Sequence, residues 1–128
     1  MSLKATERQV TDVTILDISG RITLGDETAL LRNTIRDLLA RGRKNLLLNL
    51  SQVPYIDSSG IAELVSGFVA ARREGGDMKL LNLTKKVRDT VEIVKLGAIF
   101  ELFDDEDAAL KTFTREQKPE PDPLPRAG

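Results

Sequence analysis

The stretch at residues 53–64 reads "VPYIDSSGIAEL" and decides how the middle of this chain folds. The nearly continuous apolar run at 45–50 predicts a strand that is buried on both faces of a sheet. Apolar residues at intervals of three and four over 61–72 predict an amphipathic helix. Between these elements, the Asp-Ser-Ser-Gly sequence at 57–60 supplies residue types that cap helix N-termini, and a glycine that permits close backbone approach. The stretch therefore predicts a strand-to-helix turn with two hydroxyls beside a carboxylate.

The segments around this turn predict an alternation of strands and helices. A β-hairpin opens the chain, and each later strand is joined to the next through a helix, which favours parallel pairing. We therefore expect an α/β fold in which an N-terminal β-hairpin and then alternating strands and helices form a mixed sheet covered by helices. The predicted strands lie at 4–10, 13–18, 45–50, 78–83 and 99–103, and the predicted helices at 28–41, 61–72, 87–97 and beyond the acidic cluster 104–107.

Local signals mark where these helices begin and end. Asp26 or Thr28 is available to cap the first helix, and Thr84 is available to cap the third. Gly42 occupies a position where a helix C-terminus is expected. The pair at 75–76, Gly-Gly, stops the second helix.

Length and composition indicate one domain, which we place at 1–113 of the 128 residues. Four of the five prolines fall in the last eleven residues, so 114–128 are predicted to be a Pro-rich disordered tail. No apolar run approaches the ~20 residues of a membrane span, and the N-terminus lacks a secretion-signal pattern. These features favour a cytoplasmic protein without membrane insertion. The net charge of -1, with basic clusters only at 41–44 and 85–86, argues against nucleic-acid binding.

The absence of histidine and cysteine restricts the chemistry of the chain. A serine nucleophile needs an adjacent base, usually histidine, and Lys85 and Lys86 lack the apolar surroundings that keep a lysine neutral. The turn also differs from the G-x-S-x-G elbow of hydrolases. The carboxylates at 104–107 lack the ligand spacing and the glycine of a calcium loop. We therefore expect no catalytic residue, no metal site and no cofactor.

Two interpretations of the turn at 57–60 remain. In the first, the turn is only a well-capped helix start. In the second, the end of a parallel strand leading into a helix N-terminus forms an anion site, where a phosphate on an exposed serine meets the positive end of the helix dipole. Such a phosphate adds about -1.5 to -2 charges. The second interpretation predicts a switch that changes the surface far more than it changes fold stability.

The pattern "NLSQVPYIDSSGIAELV" resembles the STAS domains, which are named for sulphate transporters and anti-sigma-factor antagonists. The small bacterial antagonists are the most similar in length. The resemblance covers about residues 5–113, and it includes the Gly-Gly break at 75–76 and the segment "VRDTVEIVKLGAIFELF" at 87–103.

This resemblance implies an anti-sigma-factor antagonist that works by partner switching in transcription regulation. The implied phosphorylation site is Ser58, and the implied partner is a serine kinase that is also the anti-sigma factor. The unphosphorylated antagonist binds the kinase and frees the sigma factor, the phosphorylated form releases the kinase, and a phosphatase restores the first state. The other partner-binding residues are Asp57, Ser59, Gly60 and, at the edge, Ile61 and Glu63. We predict Ser59 to be the helix cap.

The loop after the hairpin is the second contact region that the resemblance implies. Many family members carry an aspartate there, whereas this chain reads Gly-Arg-Ile-Thr at 20–23 and has Thr23 in that place. This departure bears on which kinase is the partner. The lysines at 85–86 could border the same surface.

Two alternatives within the family stay open. One is a scaffold subunit of a signalling assembly, in which the same serine is phosphorylated. The other is an accessory subunit of a lipid-transport ATPase complex. The sequence leaves the oligomeric state open between a monomer and a weak dimer.

Overall fold

A computed structural model describes residues 3–93 and 99–116 of the chain. Five strands form one sheet in the order β1-β2-β3-β4-β5, with β1 antiparallel to β2 and the remaining pairs parallel. The predicted α/β fold with its N-terminal hairpin and mixed sheet is therefore confirmed. The elements are β1 (Lys4–Val10), β2 (Val13–Ser19), α1 (Asp26–Ala40), β3 (Asn45–Gln52), α2 (Ser58–Arg73), β4 (Asp77–Leu81), α3 (Lys85–Ile93), β5 (Leu102–Phe103) and α4 (Glu106–Glu116).

The central strand β3 sends alternate side chains into two cores on opposite faces of the sheet. Leu46 and Leu48 enter the larger core, which α1, α2 and α3 complete. Leu47 enters a smaller core, to which α4 contributes Phe113. All three leucines are fully buried. The prediction that this strand is buried on both faces is confirmed.

The first helix begins two residues earlier than predicted, and its cap is a different residue. Gly25 is the N-cap and has a φ of 119°, a backbone conformation that favours glycine. Thr28 is the third helical residue, and its hydroxyl accepts the N–H of Gly25 at 3.3 Å. Neither Asp26 nor Thr28 is therefore the N-cap. Gly42, with a φ of 83°, follows the C-cap Arg41 and ends the helix as predicted.

Other boundaries shift for local reasons. The strand β4 ends at Leu81 instead of 83, because Asn82 adopts a positive φ of 56°. The strand β5 is only two residues long, since it pairs with β4 at Leu80 and Leu81 alone. Thr84 does cap α3, and its hydroxyl accepts the N–H of Val87 at 3.4 Å. The predicted end of this helix, 94–97, lies outside the described residues.

The C-terminal helix extends past the predicted domain boundary at 113. It begins at Glu106, after Asp105 caps it by accepting the N–H of Ala108 at 2.9 Å, and it ends at Glu116. The boundary therefore falls within a helix. The remainder of the predicted tail, 117–128, lies outside the described residues.

A buried lysine on β4 anchors this helix to the sheet. Only 1% of Lys79 is exposed, and its amino group lies 2.8 Å from a carboxylate oxygen of Glu101. The amino group also donates to the Thr112 hydroxyl of α4 at 2.9 Å, and it lies 4.8 Å from the ring centroid of Phe113. Ion pairing, hydrogen bonding and the aromatic face together compensate for the burial of this charge.

Candidate functional site

Two loops lie side by side at the carboxyl ends of β2 and β3 and together build the turn at 57–60. The N–H of Gly20 donates to Gln52 at 3.0 Å, and the N–H of Ile22 donates to the carbonyl of Tyr55 at 3.1 Å. The carbonyl of Ile22 in turn accepts the N–H of Asp57 at 3.2 Å. The loop that follows the hairpin is thus held against the start of α2.

Asp57 is the N-cap of α2 and links the two loops through its side chain. One carboxylate oxygen accepts the N–H of Gly60 at 3.0 Å, and the other accepts the N–H of Leu24 at 3.0 Å. The prediction that Ser59 is the helix cap was wrong, because Asp57 takes that role and the helix starts at Ser58. The two oxygens of the Asp57 carboxylate accept one N–H group each, so a single side chain serves both loops.

The environment of Asp57 favours the ionised carboxylate. Partial burial is the largest single influence on its pKa and acts to raise it. Hydrogen bonds from the N–H groups of Gly60, Leu24 and Ser59 together outweigh burial and hold the pKa of Asp57 below its ordinary value of 3.8. The turn therefore carries a fixed negative charge at neutral pH.

Gly60 is buried because the chain that carries Ile22 passes directly over it. A Cβ atom at position 60 would lie 2.6 Å from the carbonyl oxygen of Ile22 and 2.6 Å from a side-chain carbon of Ile56. The close backbone approach predicted for this glycine is confirmed, and it sets the distance between the two loops.

Ser58 is the first residue of α2 and is exposed to solvent. Within residues 3–93 and 99–116, its hydroxyl has no hydrogen-bond partner. No acidic residue occupies the first turn of α2, and the Asp57 carboxylate at the N-cap partly neutralises the positive end of the helix dipole. The hydroxyl is therefore free for chemistry supplied by another molecule.

The loop opposite Ser58 presents an apolar side chain that the sequence interpretation missed. Thr23, the predicted contact, is half-buried, whereas 75% of Leu24 is exposed. The hydrogen bond from the Leu24 N–H to Asp57 holds the Leu24 backbone beside the turn, so the exposed side chain starts from this position. A lone leucine next to a loop glycine belongs to no periodic pattern, and only the pairing of the two loops identifies it.

The two predicted edge residues have structural roles in α2. Ile61 has 8% of its surface exposed and packs in the larger core. Glu63 forms an ion pair of 2.9 Å with Arg32 of α1, and the glutamate side chain is 16% exposed. Both residues brace the first turns of α2 against the rest of the domain.

The acidic cluster at 104–107 is engaged in contacts within the fold. Asp104 pairs with Arg88 at 2.9 Å, and Glu106 pairs with Arg8 at 2.9 Å. Among the described residues, no group of three or more possible ligand side chains is arranged to hold a metal ion. The helices of the described ranges include none that is long and apolar enough to cross a membrane.

The Asp57 charge predicts a specific pH dependence for the variant Asp57→Asn, which keeps a capping oxygen but loses the charge. A carboxyl whose pKa is lowered by folding stabilises the fold above its unfolded pKa, and this contribution is lost as the pH falls through the folded value. The free energy of unfolding of the natural chain should therefore exceed that of the variant above about pH 5 and converge toward it below about pH 4. Urea titrations across this range measure the gap, and a gap that widens on acidification would contradict the assignment.

Taken together, the fold and the turn define a small α/β module that presents an exposed serine at a helix N-terminus. The chain belongs to the STAS domain family, whose model matches residues 4–109.

Several solved structures share this fold. A putative anti-sigma factor antagonist from Thermotoga maritima has a TM-score of 0.81 and 24% identity, covering 87% of this chain and 95% of that one. The Bacillus cell fate determinant SpoIIAA in its phosphorylated form has a TM-score of 0.67 and 18% identity, covering 85% and 98%. A sulfate transporter family protein from Wolinella succinogenes has a TM-score of 0.69 and 22% identity, covering 83% and 88%. Because these sequence identities are low, the structural similarities establish the fold alone.

Proposed function

We propose that this chain is an anti-sigma-factor antagonist, a cytoplasmic protein-binding module without catalytic activity of its own. In its unphosphorylated form it sequesters an anti-sigma serine kinase, and phosphorylation of Ser58 releases that kinase. The observation that carries the proposal is the exposed Ser58 hydroxyl, which no described residue engages, at the N-terminus of α2.

The electrostatics of the turn suit a switch that acts on docking and not on folding. A phosphate at Ser58 would be stabilised by the positive end of α2 and opposed by the Asp57 carboxylate next to it. Both Asp57 oxygens already accept backbone N–H groups, so the aspartate stays in place when the charge arrives. The two opposing effects leave fold stability nearly constant while the surface gains about -1.5 to -2 charges.

The surface next to Ser58 indicates how this charge would weaken the docking of a partner. The exposed Leu24 side chain offers apolar area, and the half-buried Thr23 and Ser59 border it. A partner that covers Leu24 would have to desolvate a phosphate placed beside it, which is costly unless the phosphate is paired. Gly60 and Ile61 are buried and support this surface from below.

The similar structures support the proposal, since one is a putative anti-sigma factor antagonist and another is the cell fate determinant SpoIIAA in its phosphorylated form. The sulfate transporter family neighbour indicates that the same fold serves other proteins. The scaffold and lipid-transport alternatives therefore differ from the proposal in the partner that the chain binds. A neighbouring gene for a serine kinase favours the antagonist, and one for a transporter ATPase favours the accessory subunit.

Phosphate mapping tests the proposal directly. The chain is incubated with ATP and the serine kinase encoded nearest its gene. Tandem mass spectrometry of its peptides then locates the added phosphate. We expect one phosphate on Ser58, full loss of labelling in Ser58→Ala, and retained labelling in the neighbouring control Ser59→Ala. Equal labelling of Ser58→Ala and the natural chain would overturn the assignment.

A further inference from the structure

A second surface lies beside the Ser58 turn and is built from the same two loops. Arg21, Pro54, Tyr55 and Lys86 line one open cleft. The Arg21 guanidinium carbon lies 5.0 Å from the Tyr55 ring centroid, and the Lys86 amino group lies 5.6 Å from the same centroid. Two cations are thus held against one aromatic ring, within the range of cation–π attraction.

Neither cation is neutralised within the part of the chain that the structure describes. Arg21 and Lys86 form no ion pair among the described residues, whereas Lys85 and Arg88, on the same helix as Lys86, each pair with an aspartate. Both Arg21 and Lys86 are exposed. Their N–H groups remain available to donate to acceptors from outside.

The position of Lys86 is unfavourable for the helix that carries it. Lys86 is the second residue of α3, where the helix dipole disfavours positive charge, and no acidic residue offsets it in the first turn. Its neighbour Lys85 is compensated by an ion pair of 3.1 Å with Asp89. The uncompensated charge at Lys86 and the dipole of α3 add to the charge of Arg21 and make the cleft a site of positive potential.

We infer that the cleft formed by Arg21, Tyr55 and Lys86 binds an acidic segment of the protein that docks at the Ser58 turn. This inference rests on the proposed function, because it places part of the docked partner here. Arg21, whose guanidinium lies beside the Tyr55 ring, can donate two parallel hydrogen bonds to one carboxylate, and Lys86 can donate to a second. The two cations lie 5.0 and 5.6 Å from the same ring centroid, so alternate side chains of an extended peptide, which are about 7 Å apart, can reach both.

The composition of the chain supplies a specific probe for this cleft. Tyr55 is the single tyrosine, and the chain has no tryptophan, so intrinsic fluorescence comes from the cleft almost alone. We expect acetyl-(Gly-Glu)4-amide to change this fluorescence saturably at low ionic strength, and acetyl-(Gly-Gln)4-amide to leave it unchanged. The double variant Arg21→Gln/Lys86→Gln should bind the glutamate peptide about fivefold more weakly, because it removes both cations that would pair with the peptide carboxylates.

The control variant Arg43→Gln/Lys44→Gln removes the same charge from the exposed turn at the opposite end of β3, and it should bind the peptide like the natural chain. Equal binding of the glutamine peptide, equal loss in both double variants, or tighter binding of inorganic phosphate than of the peptide would each overturn the inference. The titration uses unphosphorylated chain without a kinase. Its failure therefore leaves the Ser58 switch intact, and failure of Ser58 labelling leaves the peptide result intact.

Discussion

Gly60→Ala is expected to destabilise the fold by about 2–3 kcal/mol, near the upper end of the cost of overpacking a core. The added Cβ would lie 2.6 Å from the carbonyl oxygen of Ile22, and backbone cannot move aside as the end of a flexible side chain can. The two loops would have to separate, which would also stretch the hydrogen bonds from Gly60 and Leu24 to Asp57. Thermal unfolding should show the midpoint lowered by about 10 °C.

Gly67→Ala is the matched control on the same helix. Its Cβ would meet the terminal Cδ1 of Ile35 at 2.9 Å and the sulfur of Met78 at 3.2 Å, and both are side-chain atoms beyond a rotatable bond and not backbone. The gain in helix propensity from glycine to alanine, about 1 kcal/mol, offsets the repacking, so this variant should stay within about 1 kcal/mol of the natural chain. Equal stability of the Gly60 and Gly67 variants would show that the backbone contact does not constrain the turn.

Ser58→Asp is expected to weaken partner binding while leaving the stability of the fold nearly unchanged. A negative charge at the first residue of α2 gains from the helix dipole and is repelled by Asp57, so the thermal midpoint should stay nearly unchanged. Affinity for the partner kinase should fall at least about tenfold, which corresponds to about 1.4 kcal/mol. Calorimetric titration with the kinase and a thermal melt of the same sample measure the two effects.

Ser66→Asp adds the same charge at an exposed position two turns further along α2. It should leave kinase affinity unchanged, because it lies away from the Ser58 turn. A large loss of stability in Ser58→Asp without a change in binding would support the interpretation that the turn is only a helix cap. Equal weakening by both variants would indicate a general charge effect.

The sequence predicts the elements of this fold well wherever one strong periodic signal governs them. The leucines at 46–48 predict a strand buried on both faces, and the structure confirms it. The apolar spacing over 61–72 predicts α2, whose observed range is Ser58–Arg73. These patterns suffice because the spacing of apolar residues determines which side chains share one face of a helix or strand.

Helix starts are less predictable, because several neighbouring residues compete for the same role. Asp57 and Ser59 are both good caps, and the choice between them depends on the Leu24 amide, which is 33 positions before Asp57 in sequence. At α1 the glycine at 25 caps through its backbone conformation, while the more obvious Thr28 bonds back to it. Local residue preferences do not predict these contacts.

Sequence interpretation missed the burial of Lys79 and the meeting of Arg21 with Lys86, because distant segments bring these side chains to their neighbours. A lysine within a strand, such as Lys79, is expected to face solvent. Here α4 covers its side chain with Thr112 and Phe113. Arg21 and Lys86 are 65 positions apart, and they meet only because Tyr55 lies between their loops. Their partners are fixed by the packing of the sheet, which a single sequence does not specify.

The most direct test is the affinity of the kinase for chain that carries phosphate on Ser58 alone, with amide NMR spectra of the same sample. We predict binding at least about tenfold weaker than before phosphorylation, restored when the phosphate is removed, with shift changes confined to the loops around residues 22–25 and 57–61. Unchanged affinity for the fully phosphorylated chain, or shift changes throughout β2, β3 and β4, would contradict a switch that acts through the surface alone.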